Sequence, residues 1–90
     1  CASKNIPVWC GGMLESGIGR AGNVALASLP NFTLPGDISA SKRYYKEDIV
    51  EPEFVVNKNG TMDVPTKAGI GVEVNMKMLE KVTTKKKLFL

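Results

Sequence analysis

The run Gly11-Gly12-Met13-Leu14-Glu15-Ser16-Gly17-Ile18-Gly19 carries the residue types best suited to chemistry in this chain. Glycines let a backbone approach a ligand closely, and N–H groups at the start of a following helix carry partial positive charge suited to a carboxylate. The run therefore reads as a binding wall, with a glycine-rich connection serving only tight packing as the plainer alternative. Met13 can line an apolar pocket, although a lone methionine also serves as core filler. Glu15 and Asp37 both follow segments with strand character and could face one pocket; loop or capping roles are the alternative.

Two other chemistries compete for the same residues. Gly17-Ile18-Gly19-Arg20-Ala21-Gly22 satisfies the G-x-G-x-x-G pattern of a dinucleotide-binding turn, with Asp37 near the distance of a ribose-binding acid. In that motif the strand runs almost directly into the first glycine, whereas here Gly11 to Ser16 intervene, which argues against nucleotide binding. Nucleophilic catalysis is not supported. The chain has no histidine, and Ser16 lacks the leading glycine of a nucleophile elbow. No metal-ligand cluster is indicated, so the sequence itself offers neither a catalytic nor a metal-binding residue.

The elements that position these residues follow from local pattern. Cys1 to Asn5 reads as a helix end, with Asn5 suited to the left-handed closing position. Ile6-Pro7-Val8-Trp9-Cys10 has the length and continuous apolarity of a strand buried in a parallel sheet, and Gly11-Gly12 ends it. A helix follows over about Ile18 to Leu29, with Ile18, Ala21, Ala25 and Leu29 as its core stripe and Arg20 and Asn23 off it, and Pro30 stops it. Phe32-Thr33-Leu34 reads as another strand, closed by Pro35-Gly36-Asp37. This is the order of a βα-repeat protein. The character changes near Ser39. Beyond it, Phe54-Val55-Val56 and Thr61 to Val64 flank Asn57-Lys58-Asn59-Gly60, a hairpin signal. Asn75 can cap a helix from Met76 to Lys81, and Val82 to Leu90 reads as a final strand.

Composition bounds the function. Ninety residues make one small domain that buries only about 60% of its unfolded surface, so marginal stability alone is expected. With 43% hydrophobic and 23% charged residues, the chain is too apolar for a disordered tail. The formal charge is +3, and the only dense basic run, Lys85-Lys86-Lys87, lacks interleaved aromatics. It reads as a solvated end, so no nucleic-acid partner is expected. Cys1 and Cys10 are too few for a disulfide framework, and a reducing compartment fits best. No apolar run approaches the ~20 residues of a membrane span, and no signal peptide is evident. The sequons at Asn31 and Asn59 carry little weight without one. A first residue of cysteine leads to the expectation that translation begins upstream.

Ile6 to Arg20 closely resembles the seventh barrel strand and following loop of enolase-superfamily enzymes of the o-succinylbenzoate synthase / N-acylamino acid racemase type, in the muconate-lactonizing-enzyme-like subgroup. The resemblance continues through Asn23 to Ala27, Leu29-Pro30 and Phe32 to Asp37, and, more loosely, Asp48 to Pro52 and Pro65 to Gly71. It implies an α/β fold: the C-terminal part of an enolase-type (β/α) barrel over residues 1–40, its seventh and eighth strand units, then a segment over 41–90 returning to an α+β capping domain. The activity implied is α-proton abstraction beside a carboxylate, followed by dehydration to o-succinylbenzoate for menaquinone synthesis or by racemisation. Lysine bases and Mg2+ would perform it, held by residues upstream of Cys1, so the isolated segment is expected to be inactive. By the resemblance, Gly11, Gly12 and Met13 contact the substrate, with Glu15 and Asp37 as weaker pocket candidates. The partners implied are a small carboxylate substrate and the rest of the barrel and cap, in a cytoplasmic homo-oligomer without nucleic acid or membrane. The competing reading is a stand-alone small nucleotide-binding or interaction module.

Overall fold

The structure, a computed structural model, describes residues 1–89. A 3-10 turn over Ala2–Lys4 closes at Asn5, whose φ of 54° and ψ of 36° place it in the left-handed region and whose N–H donates to the Ala2 carbonyl. Asparagine tolerates that conformation better than most residues, as the sequence suggested. The central element is helix α1, Gly17–Ala27. It ends at Ser28, whose N–H and hydroxyl both return to the Ala25 carbonyl, and Pro30 prevents continuation. Gly19 and Gly22 inside it each cost about 1 kcal/mol against alanine, so α1 depends on packing for its stability.

That packing keeps Ala21 of the expected stripe and otherwise turns to a neighbouring face. Gly17, Arg20, Ala21 and Val24 are the buried positions, at helical spacing, while Ala25 is exposed and Ile18, Leu26 and Leu29 remain substantially exposed. The helix is apolar on two sides, which makes its periodicity ambiguous about which side faces the core. Arg20, predicted to lie off the core stripe, is 0% exposed. Its burial follows from polar partners that come from a distant segment, described below.

Ala21 and Val24 pack with Val50, Phe54 and Val72, flanked by Ile38, Ile49 and Met62. The core thus draws on both sides of position 40. Strand β1, Val50–Glu51, pairs antiparallel with β2, Glu73–Val74, in the register Val50 to Val74 and Glu51 to Glu73. Helix α2, Met76–Val82, starts at Asn75, whose side chain accepts from the Met78 N–H at 3.1 Å, the capping role its residue type suggested. The same residue donates its backbone N–H to the Ile49 carbonyl (2.7 Å) and its amide to Glu51 Oε1 (3.1 Å), tying α2 to β1.

Four expectations are corrected. Ile6–Cys10 is extended but forms no regular strand; Ile6 and Trp9 are 51% and 56% exposed, and only Cys10 is buried. Its contacts run parallel to the second candidate strand, since Val8 N–H donates to Asn31 O, Leu34 N–H to Val8 O and Asp37 N–H to Cys10 O. The partners advance by three residues each time, against the even two-residue step of a ladder. The Phe32 to Leu34 segment is also irregular, because Phe32 N–H turns back to Leu29 O and the flanking Pro30 and Pro35 have no N–H to give. The predicted hairpin reduces to its turn: Gly60 has φ 79°, its N–H donates to Asn57 O, and Asn57 N–H donates to Thr61 O, but no ladder flanks it. The final strand is absent over the described residues. Val82 belongs to α2, Leu88 and Phe89 are exposed, and Leu90 lies outside the described residues. No helix among the described residues is long and apolar enough to cross a membrane.

Candidate functional site

The glycine-rich run is held against the next connection by backbone contact. A Cβ at Gly12 would overlap the Asp37 carbonyl oxygen and lie 3.2 Å from its carbon, so only glycine permits this approach. Asp37 N–H donates to Cys10 O at 2.9 Å, and a Cβ at Gly36 would stand 3.3 Å from that same oxygen. Gly11 to Glu15 and Gly36 to Asp37 therefore form two adjacent edges. Met13 projects from the first edge and is 81% exposed; Gly11 and Asp37 are also exposed, and Gly12 is half-buried. Two clefts among the described residues lie elsewhere, one bounded by Phe54, Val64, Pro65 and Gly71 and another by Met76, Leu79 and Lys86, and a third is lined by Ser16, Tyr45, Asp48 and Ile49 beside the start of α1. Within this chain the candidate site is an open surface.

Glu15 is placed differently from Asp37. Its Oε2 accepts from the Met13 N–H at 2.7 Å and its Oε1 from the Asn23 side-chain amide at 2.8 Å. Both carboxylate oxygens are thus engaged within the chain, which makes Glu15 a group that organises the loop. Partial burial raises its carboxyl pKa, but bonds from its own N–H, from Met13 N–H and from the Asn23 amide, with the nearby Arg20 charge, more than offset this, leaving it below the ordinary value of 4.5. The carboxylate is the form these donors require.

The start of α1 is closed by a residue 31 positions away. Ser16 occupies the N-cap without a side-chain cap bond, and Gly17 N–H donates to Asp48 Oδ1 at 2.9 Å. Asp48 Oδ1 also accepts from Ile49 N–H, and Asp48 Oδ2 accepts from the Ser41 hydroxyl. Arg20 Nη1 donates to that same Ser41 oxygen, so guanidinium, hydroxyl and carboxylate form one buried chain beneath the helix end. Arg20 Nε and Nη2 have no partner among the described residues. Buried unpaired donors are costly, so this is where the chain is least satisfied. The Tyr45 hydroxyl, donating to the Leu14 carbonyl, adds a further tie between the 41–48 segment and the loop.

This arrangement opposes dinucleotide binding at Gly17 to Gly22. The first helical N–H, where a pyrophosphate would sit, is spent on the chain's own Asp48, and Gly17 is buried. It also corrects part of the expectation for the helix start as a carboxylate site, because the carboxylate that meets its first N–H is Asp48. Among the described residues no group of three or more His, Cys, Asp or Glu side chains is placed to hold a metal ion. Sequence reasoning missed Asn23, Tyr45, Ser41 and Asp48. The one local signal was an arginine on a helix apolar on two sides, which implies a buried partner without naming it.

Similarity to known proteins agrees with the resemblance seen in the motifs. The chain is 63% identical over 86 residues to an N-succinylamino acid racemase from Amycolatopsis sp., covering 96% of this chain and 23% of that protein. It is 55% identical over 89 residues to an o-succinylbenzoate synthase from Bacillus subtilis (strain 168), covering 99% of this chain and 24% of the relative. The crystal structure of an enolase-superfamily member from Listeria innocua Clip11262 superposes with a TM-score of 0.86 at 55% identity, over 94% of this chain and 23% of that one. This chain therefore spans about a quarter of the length of the relatives it matches. Residues 1–78 match the profile of the Enolase C-terminal domain-like family, and the chain belongs to that family.

Proposed function

We propose that this chain is the C-terminal part of a magnesium-dependent o-succinylbenzoate synthase / N-acylamino acid racemase. Residues 1–40 would contribute the seventh and eighth barrel units, and residues 41–90 the segment returning to the capping domain. The observation that carries the functional reading is the close backbone approach of Gly12 to Asp37, which sets two loop edges side by side with Met13 projecting from one of them. The names of relatives at 55% and 63% identity support the same reaction class.

In this reading the main chain at Gly11 and Gly12 borders the substrate, with Gly12 packed on the Asp37 carbonyl on its other side, and Met13 gives the substrate's side chain an apolar contact. Glu15 keeps the loop in shape, and exposed Asp37 is free to accept a hydrogen bond from a substrate donor. None of these residues abstracts the α-proton. Among the described residues no group of three or more His, Cys, Asp or Glu side chains is placed to hold a metal ion; by the resemblance, the ion and the proton-transferring lysines would be held by residues outside this chain. Bound there, Mg2+ would stabilise the negative charge that develops as the α-proton leaves. The reading makes the whole protein a cytoplasmic homo-oligomer in menaquinone synthesis.

The test is an assay of the full-length protein with and without Mg2+. It should form o-succinylbenzoate by dehydration, racemise an N-succinylamino acid, or do both, and the separate 90-residue chain should do neither. A full-length protein that turns over neither substrate in the presence of Mg2+ would refute the reading.

A further inference from the structure

The loop that carries Met13 has no regular structure to fix it, yet side-chain bonds hold it from two directions. From α1, the Asn23 amide donates to Glu15 Oε1 at 2.8 Å while Glu15 Oε2 accepts the Met13 N–H at 2.7 Å. The carboxylate is a bridge: one end is anchored to the helix and the other sets the backbone of the residue that projects outward. From the 41–48 segment, the Tyr45 hydroxyl donates to the Leu14 carbonyl, on the next residue of the same loop. A Cβ at Gly19 would stand only 3.1 Å from the Glu15 Cβ, so the glycine lets the glutamate lie close along the helix where Asn23 reaches it. Neither Asn23 nor Tyr45 borders the exposed face of Met13 through its own contacts; each acts through Glu15 or Leu14.

We propose that Asn23 and Tyr45 are positioning residues of the substrate loop, Asn23 through the Glu15 bridge and Tyr45 through Leu14, and that together they set how Met13 is presented to the substrate. This rests on the reading of the loop as a substrate wall. Side chains remote from a ligand matter when they fix the geometry of those that touch it, and small displacements weaken binding disproportionately. Loosening the loop should therefore act on KM before kcat.

The bridge can be inverted, which provides a rescue test in the full-length protein. Asn23→Asp sets two carboxylates against each other and should raise KM about ten-fold, the scale of one lost charge-assisted hydrogen bond, with kcat within about two-fold. Adding Glu15→Gln to Asn23→Asp restores a donor facing an acceptor while keeping an oxygen for the Met13 N–H, and should return KM to near the starting value. Tyr45→Phe removes only the hydroxyl and should raise KM in the same direction. Amide hydrogen exchange at Met13 should quicken in Asn23→Asp and recover in the double variant. Unchanged Met13 exchange and KM in Asn23→Asp would overturn the proposal, as would faster exchange with unchanged KM, or a fall in kcat and melting temperature without a KM effect. A wild-type protein with no turnover removes the substrate-wall reading itself, and the positioning role with it. That outcome is distinguished by occurring before any substitution is made.

Discussion

Replacing Gly17 by alanine adds one methyl group, and the surroundings decide its effect. A Cβ at this position would stand 2.5 Å from Asp48 Oδ2 and 3.0 Å from its Cγ, and closer still to Val50 Cγ2. Favourable separations between such atoms are about 3.5–4.0 Å, so Val50, 1% exposed, and Asp48, 6% exposed, would both have to move. Overpacking of this kind costs about 1–3 kcal/mol. Displacing Asp48 also weakens a charge-assisted bond to the Gly17 N–H, a class worth about 1.5–3 kcal/mol. The gain in helix propensity offsets at most about 1 kcal/mol, leaving a net loss of about 1.5–5 kcal/mol. Gly22, five residues further along α1, is the internal comparison, because a Cβ there meets nothing within 4 Å. Gly22→Ala should stabilise by about 0.5–1 kcal/mol. Urea unfolding of the full-length protein and its two variants, followed by circular dichroism, reads both effects. A Gly17→Ala midpoint equal to wild type, or a loss in Gly22→Ala as large as that in Gly17→Ala, would refute the packing argument.

Three further outcomes follow from the same contacts. Asp48→Ala leaves the Gly17 and Ile49 N–H groups and the Ser41 hydroxyl without their acceptor, so it should destabilise by about 3–5 kcal/mol in denaturant unfolding; Ser41→Ala, which takes the acceptor from Arg20 Nη1, should also destabilise, by about 1–3 kcal/mol. Glu15 has a folded-state pKa below 4.5, so its stabilising contribution is complete above that value and is lost as pH falls through the lower folded one. Melting temperature against pH should therefore fall less steeply below 4.5 in Glu15→Gln than in wild type. Asn75→Ala removes the α2 cap, which accepts from the Met78 N–H, and should cost about 1 kcal/mol, seen as faster amide exchange in Met76–Val82.

Features governed by neighbouring residues were legible in the sequence. The left-handed Asn5, the Asn75 cap, the turn at Gly60 and a helix within one or two residues of Gly17–Ala27 each follow from steric or hydrogen-bonding preferences confined to a few positions. The glycines from Gly11 onward marked a close backbone approach, and at Gly12 the structure gives that approach to Asp37 of the same chain, the tight-packing alternative of the sequence reading. What pattern could not supply was the face of α1, because apolar residues lie on both sides of it and the choice is made by Ser41 and Asp48, 21 and 31 residues beyond their partners. The extended Ile6–Cys10 segment failed as a strand for a related reason. Its apolar residues predict burial, but a ladder also needs a partner in even register, and the prolines and turn around Phe32 deny it one. Glu15 had the right residue type for a pocket acid, and nothing in its spacing revealed that Asn23 and Met13 would engage both its oxygens.

The bond from Gly17 to Asp48 also orders events in time. A chain emerging from the ribosome makes the glycine-rich loop first and the carboxylate that closes the helix behind it 31 residues later, a delay of about two to six seconds at ordinary elongation rates. Until then the helix start has no acceptor, and the Ser41 hydroxyl that meets Arg20 has no Asp48 carboxylate to donate to. The loop therefore cannot reach its final shape as it is made. Its surroundings are completed from downstream, and a chain interrupted before Asp48 would keep every residue of the loop and the Glu15 bridge to Asn23 while losing the acceptor that closes the helix behind it.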